Sequence, residues 1–143
     1  MSPLRALLLA ATLVAAPALG ADLATPEAAR DHANGILLDI GQNRLADAWV
    51  KMKAHTTIPP GRIDAFAESY RQAVQQTLKY YGPSVGMELL RAELAGESLL
   101  HLTYLVKYEV TGVLWNLTFY KARDRWMLTD FNYDINLTSL FQR

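Results

Sequence analysis

The sequence contains no cysteine and no cluster of positive charge, and both absences limit what the protein can do. Without cysteine there is no disulfide to hold the fold, no thiol nucleophile and no thiolate ligand for a metal. Lysine and arginine together number 14 and are balanced by 14 aspartate and glutamate residues. This balance argues against binding to nucleic acid or to anionic lipid, because both need clustered positive charge.

The sequence also lacks the short motifs of common metal and cofactor sites. It has no HExxH motif and no pair of histidines four residues apart, so no metal site is predicted. Gly82, Gly86, Gly96 and Gly112 are isolated turn glycines and do not form a phosphate-binding loop. We therefore predict neither a metal nor a cofactor.

No hydrophobic run is long enough to span a membrane, and the one notable run lies near the N-terminus. Arg5 is followed by an apolar stretch at residues 6–16 and then by small residues up to Gly20. A span needs about 20 apolar residues, whereas a short run with one preceding basic residue and a small-residue exit is typical of a secretory signal peptide. We predict a signal peptide at 1–20, a single domain at 21–143, and a periplasmic or secreted location without a lipid anchor.

The first half of the mature chain has the spacing of helices. Thr25-Pro26 resembles a helix start, with a hydroxyl cap and proline at the first helical position, and the apolar stripe that follows ends at Gly41. Asn43 is expected to cap a second, shorter helix. After a loop at 54–61 that contains Ile58-Pro59-Pro60-Gly61, a long helix is predicted over 63–81.

From residue 87 to 135 apolar residues fall at every second position, which predicts a four-stranded antiparallel meander. The first hairpin is expected to turn at 96–98. A two-residue turn at Thr111-Gly112 would pair Tyr108 with Trp115 in the central hairpin. The sequence therefore predicts an α+β fold, in which N-terminal helices pack on one face of a curved four-stranded antiparallel sheet.

The last hairpin yields the candidate site. A turn at Arg123-Asp124 would pair Leu117 with Asp130 and bring Asp130 onto the inner, helix-covered face. A carboxylate there costs several kcal/mol unless it is paired or protonated, so Asp130 is a candidate acid, base or ligand anchor. Two alternatives remain open: Asp130 bonds the Tyr108 hydroxyl or a loop amide at a wet rim, or a longer turn sends it outward and Phe131 and Tyr133 inward.

The predicted site combines these residues. The candidate catalytic residues are Asp130 and Tyr108, and the predicted ligand-binding residues are Tyr104, Tyr108, Trp115, Asp130 and Asn132.

The outer face of the predicted sheet is more apolar than a solvated face usually is. Its apolar members are expected to be Leu89, Leu105, Leu114, Tyr120, Phe131 and Tyr133. Such a face is suited to a homodimer or to one protein partner. The alternative is a scatter of ordinary surface residues.

The order of elements and the aromatic pattern resemble the nuclear-transport-factor-2-like superfamily of cone-shaped α+β domains. The pattern consists of Trp115-x-x-x-Phe119-Tyr120 and Trp126-x-Leu128-x-x-Phe131-x-Tyr133-Asp134, and the likeness extends from Thr25 onward. The resemblance implies a cystatin-like cone, a pocket between sheet and long helix, and frequent dimers. Catalytic members, such as ketosteroid-isomerase-like and polyketide-cyclase-like enzymes, use an acid or base with a tyrosine or second carboxylate. Only Asp130 and Tyr108 match those roles, without a paired carboxylate.

Three functions follow as hypotheses. The first is an exported, non-catalytic binding or accessory domain with a small apolar ligand in the inner pocket. The second is a small enzyme of the isomerase or hydratase type that uses Asp130 as acid or base. The third is an inhibitor or immunity-type protein that acts through the outer sheet face or the Ile58-Pro59-Pro60 loop.

Overall fold

A computed structural model describes residues 22–142, and the predicted signal peptide lies outside them. The helices are α1 (Pro26–Gly41), α2 (Leu45–Ala54) and α3 (Pro60–Gln76), followed by a short 3-10 helix at Leu78–Tyr81. The strands are β1 (Ser84–Ala95), β2 (Leu99–Tyr108), β3 (Gly112–Lys121) and β4 (Trp126–Asp134), and a C-terminal 3-10 helix covers Leu137–Phe141. The predicted α+β fold, with helices on one face of a curved antiparallel sheet, is confirmed. Within the described range, no helix has the length and apolarity needed to cross a membrane.

Helix α1 begins as its sequence predicts, because the Thr25 hydroxyl accepts a hydrogen bond of 3.0 Å from the Ala28 amide. The start of α2 was predicted wrongly. Asn43 has a positive φ of 57° and lies in the left-handed region, while Arg44 occupies the N-cap position without a side-chain bond. The long helix begins earlier than predicted, at Pro60, and its last predicted turn is 3-10 helix.

The first hairpin has the predicted loop, and Leu94 pairs with Leu100. A bulge then inserts Leu90, so that Leu89 lies opposite Tyr104 on the inner face. The expectation that Leu89 lies on the outer face was therefore wrong.

The central hairpin turns two residues earlier than predicted, since Tyr108 N donates to Thr111 O, Lys107 pairs with Gly112 and Tyr104 pairs with Trp115. The predicted pairing of Tyr108 with Trp115 was wrong by four residues. An even shift keeps every side chain on its expected face.

The last hairpin contains the most consequential departure. Phe119 pairs with Leu128, but a bulge beyond that pair places Asp130 opposite Thr118, whereas the prediction placed it opposite Leu117. Asp130 and Asn132 consequently lie on the outer face and are exposed, while Phe131 packs against the core. The predicted inner position of both polar residues was wrong, and so was the predicted outer position of Phe131 and Tyr133. The orientations match the second alternative, although a bulge and not a longer turn produces them.

Aromatic side chains fill the core between α2, α3 and the sheet, with ring centroids 4.6 to 6.1 Å apart in neighbouring pairs. This aromatic cluster consists of Trp49, Phe66, Tyr70, Trp115, Phe131 and Tyr133. Edge-to-face contacts dominate it, which is the arrangement that ring quadrupoles favour. The cluster therefore stiffens the contact between α3 and the last two strands.

The outer face is partly covered by the chain itself. The C-terminal 3-10 helix contacts β3, Leu114 on that face is buried, and Arg91 Nη2 donates to the Leu140 carbonyl at 3.1 Å. A polar ladder continues across the sheet through Thr103, Asn116 and Asn132. The outer face is consequently less apolar than its sequence predicts.

The two edges of the sheet differ. The edge of β4 is covered, because Thr57 N donates to Leu128 O at 3.0 Å and Trp126 N donates to Leu23 O at 2.7 Å. At the other edge, the backbone of β1 forms hydrogen bonds only with β2 among residues 22–142.

Candidate ligand site at the mouth of the cone

A cavity of about 320 Å³ opens between the C-terminal end of α1, helix α3 and the end of β2. Its main side chains are Ile40, Leu45, Tyr70, Val74, Leu78 and Tyr108. We call it the mouth cavity. A more open groove of about 520 Å³ adjoins it and shares Gly41, Asn43 and Ser84. Both openings lie between the helices and the sheet, at the end of the sheet where β1 begins.

Two tyrosines provide polar groups in the wall of the mouth cavity. Tyr70 comes from α3 and is almost fully buried, and Tyr108 is the last residue of β2. Burial raises the pKa of the Tyr70 hydroxyl, and the neighbouring Tyr108 hydroxyl raises it further. Burial also raises the pKa of Tyr108, although the Tyr70 hydroxyl partly offsets this. Both groups therefore stay protonated at neutral pH and can donate or accept hydrogen bonds.

Of the five predicted ligand-binding residues, only Tyr108 lies in the wall of the mouth cavity. Tyr104 and Trp115 are fully buried in the core, where the Tyr104 hydroxyl donates to Asn34 Oδ1 at 2.6 Å. Asn132 Oδ1 accepts from Asn116 on the outer face, and Asp130 is exposed there. The structure does not bring the five together.

The wall of the mouth cavity, within the described range, holds neither a carboxylate nor an imidazole. Ser84 lies within Gly82-Pro83-Ser84-Val85-Gly86, whose glycine spacing matches that of a nucleophile elbow. An elbow turns from a strand into a helix, whereas here the chain passes from the first 3-10 helix into β1. Ser84 therefore lacks the backbone setting of an elbow nucleophile.

Sequence reasoning missed a buried ion cluster formed by Asp39, Arg44 and Lys51. Asp39 is 1% exposed, and its carboxylate accepts from Arg44 Nε at 3.0 Å, from Arg44 Nη2 and from Lys51 Nζ. Burial alone would raise the pKa of Asp39, but the hydrogen bonds from Lys51 and Arg44 outweigh it and hold the pKa below its usual value. The cluster ties α1 to α2. The sequence feature that indicates this cluster is the position of Asp39, three residues after Ile36 on the apolar face of α1.

Sequence reasoning also missed the contact between His32 and His55, whose rings meet edge to face with their centroids 5.0 Å apart. The Nε2 atom of His32 is buried and has no hydrogen-bond partner among the described residues. Burial, and then the proximity of His55, lowers the pKa of His32 to about 4. Among residues 22–142 no three histidine, aspartate or glutamate side chains are grouped as a metal site would require.

Comparison of the chain with protein-family models, with curated proteins and with solved structures finds no match. The function is therefore inferred from the geometry of the mouth cavity.

Proposed function

We propose that the protein is an exported, non-catalytic binding or accessory domain that holds a small, largely apolar ligand in the mouth cavity. The observation that carries this proposal is the presence of Tyr70 and Tyr108 in a cavity wall that also contains the apolar side chains of five residues, with Asn43, Lys79 and Ser84 as its other polar members. Ligand sites commonly combine apolar walls with a few fixed polar groups, in cavities from about 300 Å³ upward. Lys79 lies at the rim and favours a ligand with one acidic group.

The order of elements and the curved sheet also support membership of the nuclear-transport-factor-2-like superfamily as part of this proposal. The isomerase or hydratase alternative has less support, since Asp130 lies outside the cavity. A tyrosine whose pKa is raised can donate a hydrogen bond at neutral pH but cannot act as a base. A binding role requires only the groups that line the cavity and no base.

The test uses the fluorescent probe 8-anilinonaphthalene-1-sulfonate, which joins an apolar ring system to one acidic group. We expect saturable enhancement of its fluorescence at one site. Val74→Trp places an indole in the cavity and should abolish the enhancement. Val50→Trp is the matched control, because Val50 also lies on a helix but is 69% exposed.

A second pair of variants tests the hydroxyl. Tyr108→Phe should weaken probe binding severalfold, and Tyr120→Phe on the outer face should leave it unchanged. Urea unfolding of each variant establishes that the fold is retained. Equal probe binding by Val74→Trp and Val50→Trp would refute the proposal.

A further inference from the structure

The free edge of the sheet is a second candidate for interaction. Strand β1 is 12 residues long and exposed over most of its length. Beyond its bulge, Ala92 and Leu94 face the helix side of the sheet, yet Leu94 is 56% exposed because no helix covers it. A groove of about 340 Å³ lies beside these two residues, between β1 and the start of α1. Unpaired backbone groups on such an edge can receive another strand.

The residue types along this edge are arranged symmetrically about Ala92, except that the two charges have opposite sign. The sequence Leu90-Arg91-Ala92-Glu93-Leu94 has apolar ends, opposite charges next to them and a small central residue. We propose that β1 pairs antiparallel with β1 of a second copy of the chain, with the twofold axis at Ala92. Leu90 then lies opposite Leu94 of the other copy, and Arg91 lies opposite its Glu93.

Charge selects this register over its neighbours. An axis at Arg91 would place the two Arg91 side chains opposite each other, and an axis at Glu93 would place the two Glu93 side chains opposite each other. Like charges in directly opposite positions destabilise an antiparallel pair. The axis at Ala92 instead forms two reciprocal Arg91–Glu93 pairs. Arg91 has five donors, so its bond to the Leu140 carbonyl leaves others for the second copy.

The groove beside α1, which is lined by four apolar side chains of β1 and β2 and by Pro26, Glu27 and Arg30 of α1, supplies the remaining contact. Leu90 is the bulge residue and, by alternation from Arg91, shares the face of Ala92. In the dimer, Leu90 of one copy would pack beside Leu94 of the other, at the groove next to α1. An interface of about five residue pairs lies at the small end of specific interfaces, so we expect a reversible monomer–dimer equilibrium.

Because the chain has no native cysteine, one introduced thiol tests the axis directly. In Ala92→Cys the two Cα atoms would be about 4.5 to 5.5 Å apart, which suits a disulfide. We expect mild oxidation to cross-link Ala92→Cys at least about tenfold faster than a matched Ala95→Cys variant, whose two thiols would be six strand residues or about 20 Å apart. Equal rates for the two variants would overturn the proposal.

Charge exchange gives a second, independent measurement by sedimentation equilibrium on cysteine-free protein. Arg91→Glu and Glu93→Arg should each weaken dimerisation by roughly tenfold, since each creates two like-charged pairs. The double variant should regain the affinity of the unaltered chain. A monomer at all concentrations, or a dimer whose affinity the double variant fails to restore, contradicts pairing through β1.

Discussion

The buried ion cluster allows a sharp prediction about stability. In Arg44→Met Lys51→Met, the apolar stems of both cations are largely kept but the Asp39 carboxylate is left buried and unpaired, so we expect a loss of about 3–5 kcal/mol. Asp39→Met should cost only about 1–2 kcal/mol, because the Arg44 and Lys51 side chains are 46% and 42% exposed and can be rehydrated. The triple methionine variant should lie within about 1 kcal/mol of the unaltered protein, since no charge is then buried.

Urea unfolding followed by circular dichroism measures these differences at neutral pH. Lys53→Met is the control: its partner Asp64 is exposed, so its loss should cost under about 1 kcal/mol. The pKa of folded Asp39 lies below the ordinary 3.8, so its contribution is present above pH 3.8 and disappears as the pH falls through the folded value. The reasoning is refuted if the double variant is no less stable than Asp39→Met.

Three further predictions concern the helices and the sheet. The pKa of His32 is about 4 in the folded protein against 6.5 unfolded, so stability should fall as the pH drops from 6.5 to 4. Because the ring is partly exposed, we expect this loss of stability to be about 1–2 kcal/mol. His32→Gln should abolish the loss in thermal melts across that pH range; a variant with the same pH profile as the unaltered protein would contradict the assignment. Gly112→Ala should cost about 1–3 kcal/mol, since a Cβ there would lie 2.6 Å from Leu105 Cδ1 and 3.2 Å from the Val106 carbonyl oxygen, and the backbone oxygen cannot rotate away. Gly61→Ala meets nothing within 4 Å and should not destabilise the protein; equal urea midpoints for the two variants would refute the clash. Tyr104→Phe loses its hydrogen bond to α1 and should cost about 1–2 kcal/mol in urea unfolding, and no loss would mean that the bond is energetically neutral.

The fold follows from local signals because those signals agree with one another. The hydroxyl of Thr25, the following proline and the apolar stripe all indicate one helix at α1. Alternation of apolar residues likewise indicates each of the four strands. These features depend on neighbours in sequence, so they can be identified without knowledge of the tertiary structure.

The position of Asp130 depended instead on a single inserted residue. Trp126 and Leu128 require even-numbered positions of β4 to face inward, whereas Phe131 and Tyr133 require odd-numbered positions to do so. A bulge resolves that conflict by letting both pairs of residues face the core. The sequence shows this change from even-numbered to odd-numbered apolar positions, and a strand without a bulge could not place both pairs on the same face.

The same parity change occurs in β1, where Met87 and Leu89 face inward before the bulge and Ala92 and Leu94 after it. Asp39 was missed for a different reason. Its two partners lie 5 and 12 residues away, and the longer distance is bridged only when α2 folds back on α1. Pairing across such a turn cannot be derived from the helix periodicity of either segment.

The bond between Leu23 and Trp126 fixes where the polypeptide enters the domain. Trp126 begins β4 at the end of the sheet remote from Tyr108, and a strand of ten residues such as β3 extends about 30 Å between the two ends. A carrier domain or surface linker joined upstream of Asp22 would therefore attach at the end of the sheet that is remote from the mouth cavity. The mouth cavity would face away from the attachment and would not be obstructed by it.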